Sequence, residues 1–435
     1  MDWPDMLELR LDGIAQGGEG VGRWQGRVVF VAGGLPGELV RARLYERHTA
    51  YARGDVVEVL APSPDRVPPR VPGADHMPWQ HIAYPAQLRF KRQILADQLA
   101  KIAGLADISV RETLPASPPW AYRNNARLHS DGARVGYYAA GSHTIREIDA
   151  DPLLLPILNE ALAALRAAWH GGLPGPARYE IVLRASERHG YVLAMLRGAA
   201  GVPVDAGHSL RSLAVRWRAG CPNLAGVVIR AAPAAPPLTL GAEHLVEELG
   251  GIAFRLSPTT FFQVNRQAAE LLLQQVRAGL GLDGTRGSPR EPLRLLDLYC
   301  GAGAFALPLA GTVAEVVGIE EHAGAVADAR ATADGHGITN ARFLVARVEQ
   351  ALADLDPPFD AAILDPPRRG CHPRALAELL RLAPRRMVYV ACHPATLARD
   401  LKTLITGGYR VTGIQPVDLF PQTPHIESVC VLTRD

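Results

Sequence analysis

No apolar run in this 435-residue chain reaches the ~18 residues that a membrane-spanning helix needs, so no membrane partner is expected. The start, Met1-Asp2-Trp3-Pro4-Asp5, lacks the basic segment and apolar core of a signal peptide, and the expected location is the cytoplasm. Cysteine is scarce. Cys221, Cys300, Cys371, Cys392 and Cys430 include no C-x-x-C pair, and an odd number argues against a disulfide framework. An excess of charge is missing too: 46 basic residues face 44 acidic ones, for a net charge of +2. That balance selects no partner, and any nucleic-acid reading must rest on local patches. What is present is an ordinary globular composition, 48% hydrophobic and 21% charged, in which Arg greatly outnumbers Lys. The length calls for two or three domains rather than one core.

Residues 6–62 alternate apolar and polar positions in short runs: Leu7–Leu11, Arg27–Val31, Glu38–Arg43 and Asp55–Val59. Gly17-Gly18-Glu19-Gly20 and Gly33-Gly34-Leu35-Pro36-Gly37 punctuate them as turns, and the pattern predicts a small barrel of the OB type. Arg23, Arg27, Arg41, Arg43, Arg47 and Arg53, with Tyr45 and Tyr51 between them, suit phosphates and stacked bases. A charged barrel edge that resists aggregation would use the same residues. The segment resembles a TRAM domain, an RNA-binding module, through Leu7–Leu11, Gly17–Gly22 and Gly33–Glu38.

Residues 61–73 are rich in proline and read as a linker. The spacing of Leu88, Leu95, Leu99 and Ile102 predicts an amphipathic helix over 87–102, packed on the catalytic domain. From 106 to 256 the pattern is α+β. A short helix is expected over Ala161–Trp169, and strands Tyr179–Ala185 and Tyr191–Arg197 read as a hairpin turning at Ser186–Gly190. Tyr122–Arg127 and Arg134–Tyr138 mix cations, amides and aromatics in a way that suits single-stranded RNA.

The last third carries the chemistry. Arg294–Leu298 is an apolar strand that breaks into Tyr299-Cys300-Gly301-Ala302-Gly303, followed by a helix from about Phe305. A second strand, Glu315–Glu320, ends in an acid about 20 residues beyond Gly301. Strand, glycine turn, helix, strand and terminal acid form a nucleotide-binding βαβ unit, the acid accepting from ribose hydroxyls. Phe359–Leu364 is a third strand, ending at Asp365-Pro366-Pro367. The two prolines stiffen that turn, and Asp365 is left to accept either from a pyrimidine ring N–H or from the cofactor. A fourth strand, Met387–Ala391, delivers Cys392 to its carboxyl end, where His393-Pro394 must leave the ladder. Open α/β sheets place their active sites at that end, which makes Cys392 the candidate nucleophile.

The D-x-x-x-G-x-G spelling at Asp297–Gly303 resembles the S-adenosylmethionine loop of Rossmann-like methyltransferases. With Phe261–Asn265, Asp365–Gly370, Tyr389–Cys392 and Phe420–Glu427 in this order, the series looks like the RNA 5-methyluridine methyltransferase family. The resemblance implies transfer of a methyl group from S-adenosylmethionine to C5 of a uridine, in ribosomal RNA rather than transfer RNA by a slight lean. It implies Cys392 as nucleophile and Glu427 as general base. The family's cofactor contacts fall on Gln263, Tyr299, Glu320 and Asp365, beside Gly301 of the glycine turn.

The expected architecture is therefore α/β: a barrel over 1–62, a central α+β RNA-binding domain over 63–256, and a Rossmann-like methyltransferase domain over 257–435. A monomer is expected. Many family members hold an iron–sulfur cluster on four cysteines. Here Val71–His81 keeps Gln80-His81 but has no cysteine, and none lies near Asp151, so neither cluster nor metal is expected. His393 stands where the family usually has Asn, and Ala304 where a cofactor-loop Asn is common. Two competing readings are an amino-methyltransferase, disfavoured by Arg368 and Cys392, and a non-catalytic RNA-binding protein.

Overall fold

The computed structural model describes residues 3–116, 118–139, 141–169, 178–198, 206–232, 236–283 and 293–434. They form two compact units. One comprises Met1–Ala116, Pro366–Leu376 and Val388–Asp435, the other Ser117–Asp365 and Ala377–Met387. No helix of the described residues is long and apolar enough to cross a membrane.

The first unit opens with β1 (Met6–Ile14), β2 (Gly20–Trp24), β3 (Arg27–Ala32), β4 (Leu39–Arg47) and β5 (Tyr51–Ala61). They close into a barrel in the order β1-β2-β3-β5-β4. The alternation read from sequence sends Leu7, Leu9, Leu11, Val29, Val31, Val40 and Ala42 inward. β2 was invisible to that reading because Gly20 and Gly22 interrupt it. A Cβ on Gly22 would lie 2.5 Å from the carbonyl oxygen of Arg10, so glycine lets two barrel strands approach. The arginine face is less positive than its composition suggests. Arg41 pairs with Glu8 and Glu58, Arg47 with Asp5, and Arg53 with Glu19.

The proline-rich stretch read as a linker is pinned. Arg66 binds both carboxylate oxygens of buried Glu38, and the Val67 N–H donates to the carbonyl of His81. Helix α1 (Tyr84–Gln98) follows, continued by one π-turn over Leu99–Ala103. Its buried face differs from the apolar stripe expected. It includes Gln87 and Lys91 beside Phe90, Ile94 and Leu95, while Ile102 is exposed.

The second unit contains β6 (Asn125–Ser130), β7 (Val135–Tyr138), β8 (Ile145–Glu147), α2 (Pro156–Ala168), β9 (Tyr179–Ser186), β10 (Tyr191–Gly198), α3 (Ala206–Gly220), β11 (Leu224–Arg230) and β12 (Leu238–Gly241). Their strands form a sheet ordered β12-β11-β10-β9-β6-β7-β8. β9 and β10 pair antiparallel as the expected hairpin, turning where the Gly190 N–H donates to Ser186. Helices α2 and α3 cover one face, over Leu128, Ile181, Leu183, Ala194 and Ile229.

A small hairpin, β13 (Leu245–Leu249) with β14 (Ile252–Leu256), leads to α4 (Arg266–Leu280). Then come β15 (Arg294–Leu298), α5 (Ala306–Leu309), β16 (Glu315–Glu320), α6 (Ala323–Gly335), β17 (Ala341–Val345), α7 (Val348–Ala351) and β18 (Ala361–Leu364). These strands run parallel in the order β17-β16-β15-β18, the crossover pattern of an α/β nucleotide fold. Their near-continuous apolar runs reflect burial on both faces.

Helix α8 (Pro373–Leu382) spans the boundary, and β19 (Arg386–Ala391) brings the chain back to the first unit. That unit is completed by α9 (Pro394–Thr406), β20 (Arg410–Val417) and β21 (Glu427–Thr433), with β21 between β19 and β20.

Candidate active site

The glycine turn of the second unit is built as its sequence demands. Tyr299 has φ +63°, Gly301 +54° and Gly303 +81°, so the chain reverses through left-handed conformations just beyond β15. The Cys300 N–H donates to the carbonyl of Ile319 (3.1 Å), and the Gly301 N–H to a Glu320 carboxylate oxygen (3.2 Å). The other oxygen of Glu320 accepts from the His322 N–H (2.8 Å). The acid that ends β16 is thereby fixed against the turn. A Cβ at Gly301 would meet no protein atom within 4 Å, so the turn borders open space that a ligand can enter. Glu320, Tyr299 and Gly301 are all partly exposed beside it. Acid, open glycine turn and adjoining acids fit a nucleoside cofactor with a cationic centre.

Two further carboxylates sit at the ends of neighbouring strands. Asp297 is fully buried at the end of β15 and accepts from the Ala306 N–H (3.0 Å) through one oxygen. Its other oxygen has no partner among the described residues. Burial, then the charges of Asp365 and Glu320, pushes its pKa up to about 8. Asp365 donates its N–H to the carbonyl of Leu298 (3.2 Å), and the surrounding protein, then Glu320, raises its pKa as well. This acidic cluster disfavours its own ionisation and gains from a nearby positive charge.

Gln263 belongs to a stretch that polar side chains hold in place. Asn124 donates its side-chain amide to the carbonyl of Gln263 (3.2 Å) and its N–H to that of Val264 (2.9 Å). Buried Arg184 donates to the carbonyls of Ser257 and Thr260. Asp328 accepts from the Ser257 N–H (2.7 Å) and hydroxyl (2.8 Å). Asn265 then caps α4 by accepting from the Ala268 N–H (3.2 Å). Sequence reasoning read Asn124 only as part of a stretch suited to RNA and passed over Arg184 and Asp328, since isolated polar residues in strands and helices carry no motif.

In the first unit Cys392 is half-buried at the end of β19, with His393 as the N-cap of α9. Nδ1 of His393 accepts from the Thr396 N–H (3.4 Å). Its Nε2 lies 2.7 Å from the side-chain nitrogen of Gln16. Burial, then Arg368, lowers the pKa of His393 and favours the neutral ring. The departure from Asn thus preserves the capping that Asn performs well.

Glu427 is 4% exposed and is the first residue of β21, inside the strand rather than ahead of it. The Ser428 hydroxyl donates to the carbonyl of Ala391 (3.4 Å), which sets the start of β21 beside the end of β19. The strand ends that carry Cys392 and Glu427 are thus neighbours. His425 is exposed and lies 3.2 Å from Arg368.

The other thiols are placed for packing. Cys300 is buried, and its burial and acidic neighbours raise its pKa. Cys430 is fully buried in β21. Cys371 lies in the loop before α8 and is buried, with its sulfur 3.6 Å from the Tyr389 hydroxyl. Around Gln80-His81 the described residues contain no group of His, Cys, Asp or Glu that could hold a metal ion. Burial, then Arg66, pushes His81 down to about 4.

Residues 250–435 match the tRNA (uracil-5-)-methyltransferase family, and residues 6–57 match the TRAM domain. An RNA methyltransferase of Thermosynechococcus vestitus, itself described as uncharacterized, is 41% identical over 451 aligned residues and is covered over 98% of each chain. One from Gloeobacter violaceus is 36% identical over 456, covering 98% of this chain and 96% of that one. Among solved structures, the tRNA (uracil-54, C5)-methyltransferase of Pyrococcus abyssi, in complex with S-adenosyl-L-homocysteine, is 25% identical with a TM-score of 0.75. That match covers 98% of this chain and 100% of the other.

Proposed function

The chain belongs to the tRNA (uracil-5-)-methyltransferase family and is an S-adenosylmethionine-dependent RNA methyltransferase; from that premise we propose that it methylates C5 of a uridine through a covalent bond between Cys392 and C6. The observation that supports this reading is that β19, which ends just before Cys392, lies beside β21, which begins at Glu427.

Uracil C5 is a poor nucleophile until C6 carries an added group. The Cys392 thiolate forms an S–C6 bond, and the displaced electron pair runs to O4 as an enolate. When bound, S-adenosylmethionine supplies an electrophilic methyl group on a positively charged sulfur. The enolate's C5 would take that methyl as its bond to sulfur breaks, the bonding pair staying on sulfur to leave neutral S-adenosylhomocysteine, and one proton remains on a now tetrahedral C5. Glu427 accepts this proton as general base. The C5–H pair then restores the C5–C6 double bond and expels the Cys392 thiolate. Gln263, Tyr299, Gly301, Glu320 and Asp365 would hold the cofactor, and Glu320 would accept from its ribose hydroxyls. The acidic cluster around Asp365 favours its cationic end. The target base leaves its stack to present C6, at a cost of a few kcal/mol.

The substrate is a folded RNA. Presence of the barrel favoured ribosomal RNA, but the Pyrococcus abyssi tRNA enzyme matches this chain over 98% of its length, which spans the barrel. The barrel alone therefore does not separate the two RNAs. Arg43 and Tyr45, exposed on β4, are the barrel's candidates for phosphate and base contact. The functional division is a barrel over 1–62, an RNA-binding region over 63–256 and a methyltransferase domain over 257–435, in a cytoplasmic monomer.

The test is incubation of the protein with methyl-tritiated S-adenosylmethionine and unmethylated total RNA, followed by nucleoside analysis of separated ribosomal and transfer RNA. Label in 5-methyluridine is expected, and the labelled fraction names the substrate. Label in another nucleoside, or none while RNA binding persists, would overturn the proposal.

A further inference from the structure

Helix α1 buries two polar side chains that no part of the chemistry above uses, and both end on the Asp418–Ile426 loop that precedes Glu427. Lys91 and Asp418 are each 0% exposed, with Nζ 2.5 Å from a carboxylate oxygen. Nζ also donates to the carbonyl of Phe420 (3.0 Å). One turn earlier on α1, Gln87 makes a reciprocal pair with Gln422. Its Nε2 donates to the Gln422 side-chain oxygen (2.9 Å), and its Oε1 accepts from the Gln422 N–H (2.8 Å). The same Nε2 reaches the carbonyls of Ile82 (2.9 Å) and Trp79 (3.2 Å). The Trp79 N–H in turn donates to the carbonyl of Gln422 (3.0 Å).

The loop needs this support. Gln422 has φ +68°, a strained conformation for a residue with a side chain, and such residues persist where their surroundings over-determine them. Burying a lysine–carboxylate pair is a poor way to gain stability, because desolvation offsets much of the attraction. Burial does lower the pKa of Lys91, against which Asp418 acts. What such a pair does specify is position. Beyond Gln422, Ile426 packs with Trp79, Ile82, Ala86, Phe90 and Ile94, so three points of the loop are fixed by α1 and the residues just before it. Glu427 is the next residue.

We propose that Gln87 and Lys91 are positioning residues for the general base: through Gln422 and Asp418 they hold Glu427 where it can take the C5 proton. The inference rests on the role of Glu427 given above. Proton removal comes after methyl transfer, so a displaced base has a distinct signature. Methylated RNA stays bound to Cys392, whereas a merely loosened fold would lose methylation and adduct together.

The experiment uses the full chain with unmethylated RNA and methyl-tritiated S-adenosylmethionine, and counts label in protein–RNA adduct that survives denaturation. The variants are Gln87→Met and the pair Lys91→Met with Asp418→Leu, which leaves no buried charge uncompensated. Binding of S-adenosylhomocysteine reports that each is folded. Release of 5-methyluridine is expected to slow by about 10- to 100-fold, the scale of misplacing a catalytic group by about 1 Å. Labelled adduct should rise, while cofactor affinity stays within about twofold. Should the paired variant fail to fold, Gln87→Met decides, since it removes only neutral hydrogen bonds. Folded variants with the adduct level of the unaltered protein would overturn the inference. Glu427→Gln separates the two claims: if it traps no adduct while the unaltered protein methylates RNA, the role of Glu427 itself fails.

Discussion

The Ser428 hydroxyl donates to the carbonyl of Ala391, and this bond joins the two strand ends from which Cys392 and Glu427 project. A nucleophile and a base at adjoining strand ends suit a reaction whose second half reverses its first. They also have separable failures. Cys392→Ala is expected to abolish methylation while cofactor and RNA binding persist, measured by label transfer and by titration. Glu427→Gln should leave methyl transfer intact but slow product release by about 10²- to 10⁴-fold, the usual worth of a positioned general base.

The cofactor reading concentrates on Glu320 and Gly301. Glu320→Gln removes a charged acceptor, and hydrogen bonds to charged groups contribute about 1.5–3 kcal/mol, or roughly 10- to 100-fold in affinity. Calorimetric titration with S-adenosylhomocysteine should show that loss. Gly301→Ala adds a methyl at φ +54° where no protein atom intervenes. Stability should fall by about 1 kcal/mol and cofactor affinity should fall further, because the methyl occupies the open side of the turn.

Asp297 gives the chain a pH dependence of definite sign. Its folded pKa, about 8, lies above that of an unfolded aspartate. Its contribution to stability is therefore complete below the unfolded aspartate's pKa of about 4 and is lost progressively as pH rises from there to about 8. Asp297→Asn stays neutral throughout. Without cofactor, the variant's advantage in melting temperature should be smallest near pH 4 and should grow as pH rises toward 9, so that measurements near pH 5 and pH 9 differ. A constant difference between the two pH values would contradict this.

His393 is expected to be replaceable by Asn and not by Ala. Both His and Asn can accept from the Thr396 N–H at the start of α9, whereas Ala leaves that donor without its cap. His393→Ala should cost about 1 kcal/mol in urea unfolding, and His393→Asn much less.

Much of the candidate site was legible because its motifs sit at strand ends, where an apolar run stops and one polar residue follows. Cys392, Glu320 and Asp365 were each singled out as candidates in that way, and the structure places each at such an end. The barrel was legible for a similar reason, since alternation with period two marks a sheet buried on one face. What escaped the sequence is polar and distant. Gln87 and Lys91 interrupt the stripe expected of an amphipathic helix, and their partners lie more than 300 residues away along the chain. Local periodicity carries no trace of such pairings. β2 escaped because its glycines serve close backbone approach rather than packing, and the anchoring of the proline-rich linker by Arg66 on Glu38 leaves no local pattern to read.

The central claim is the bond between Cys392 and C6, and RNA containing 5-fluorouridine tests it directly. Fluorine cannot leave C5 as a proton does, so methylation proceeds and elimination stalls. Denaturing electrophoresis followed by mass spectrometry of the digested adduct reads the result. A methylated fluorouridine fragment attached to the peptide containing Cys392 is the predicted outcome. An adduct on another cysteine, or methylation of unsubstituted RNA with no adduct from the fluorinated RNA, would contradict it.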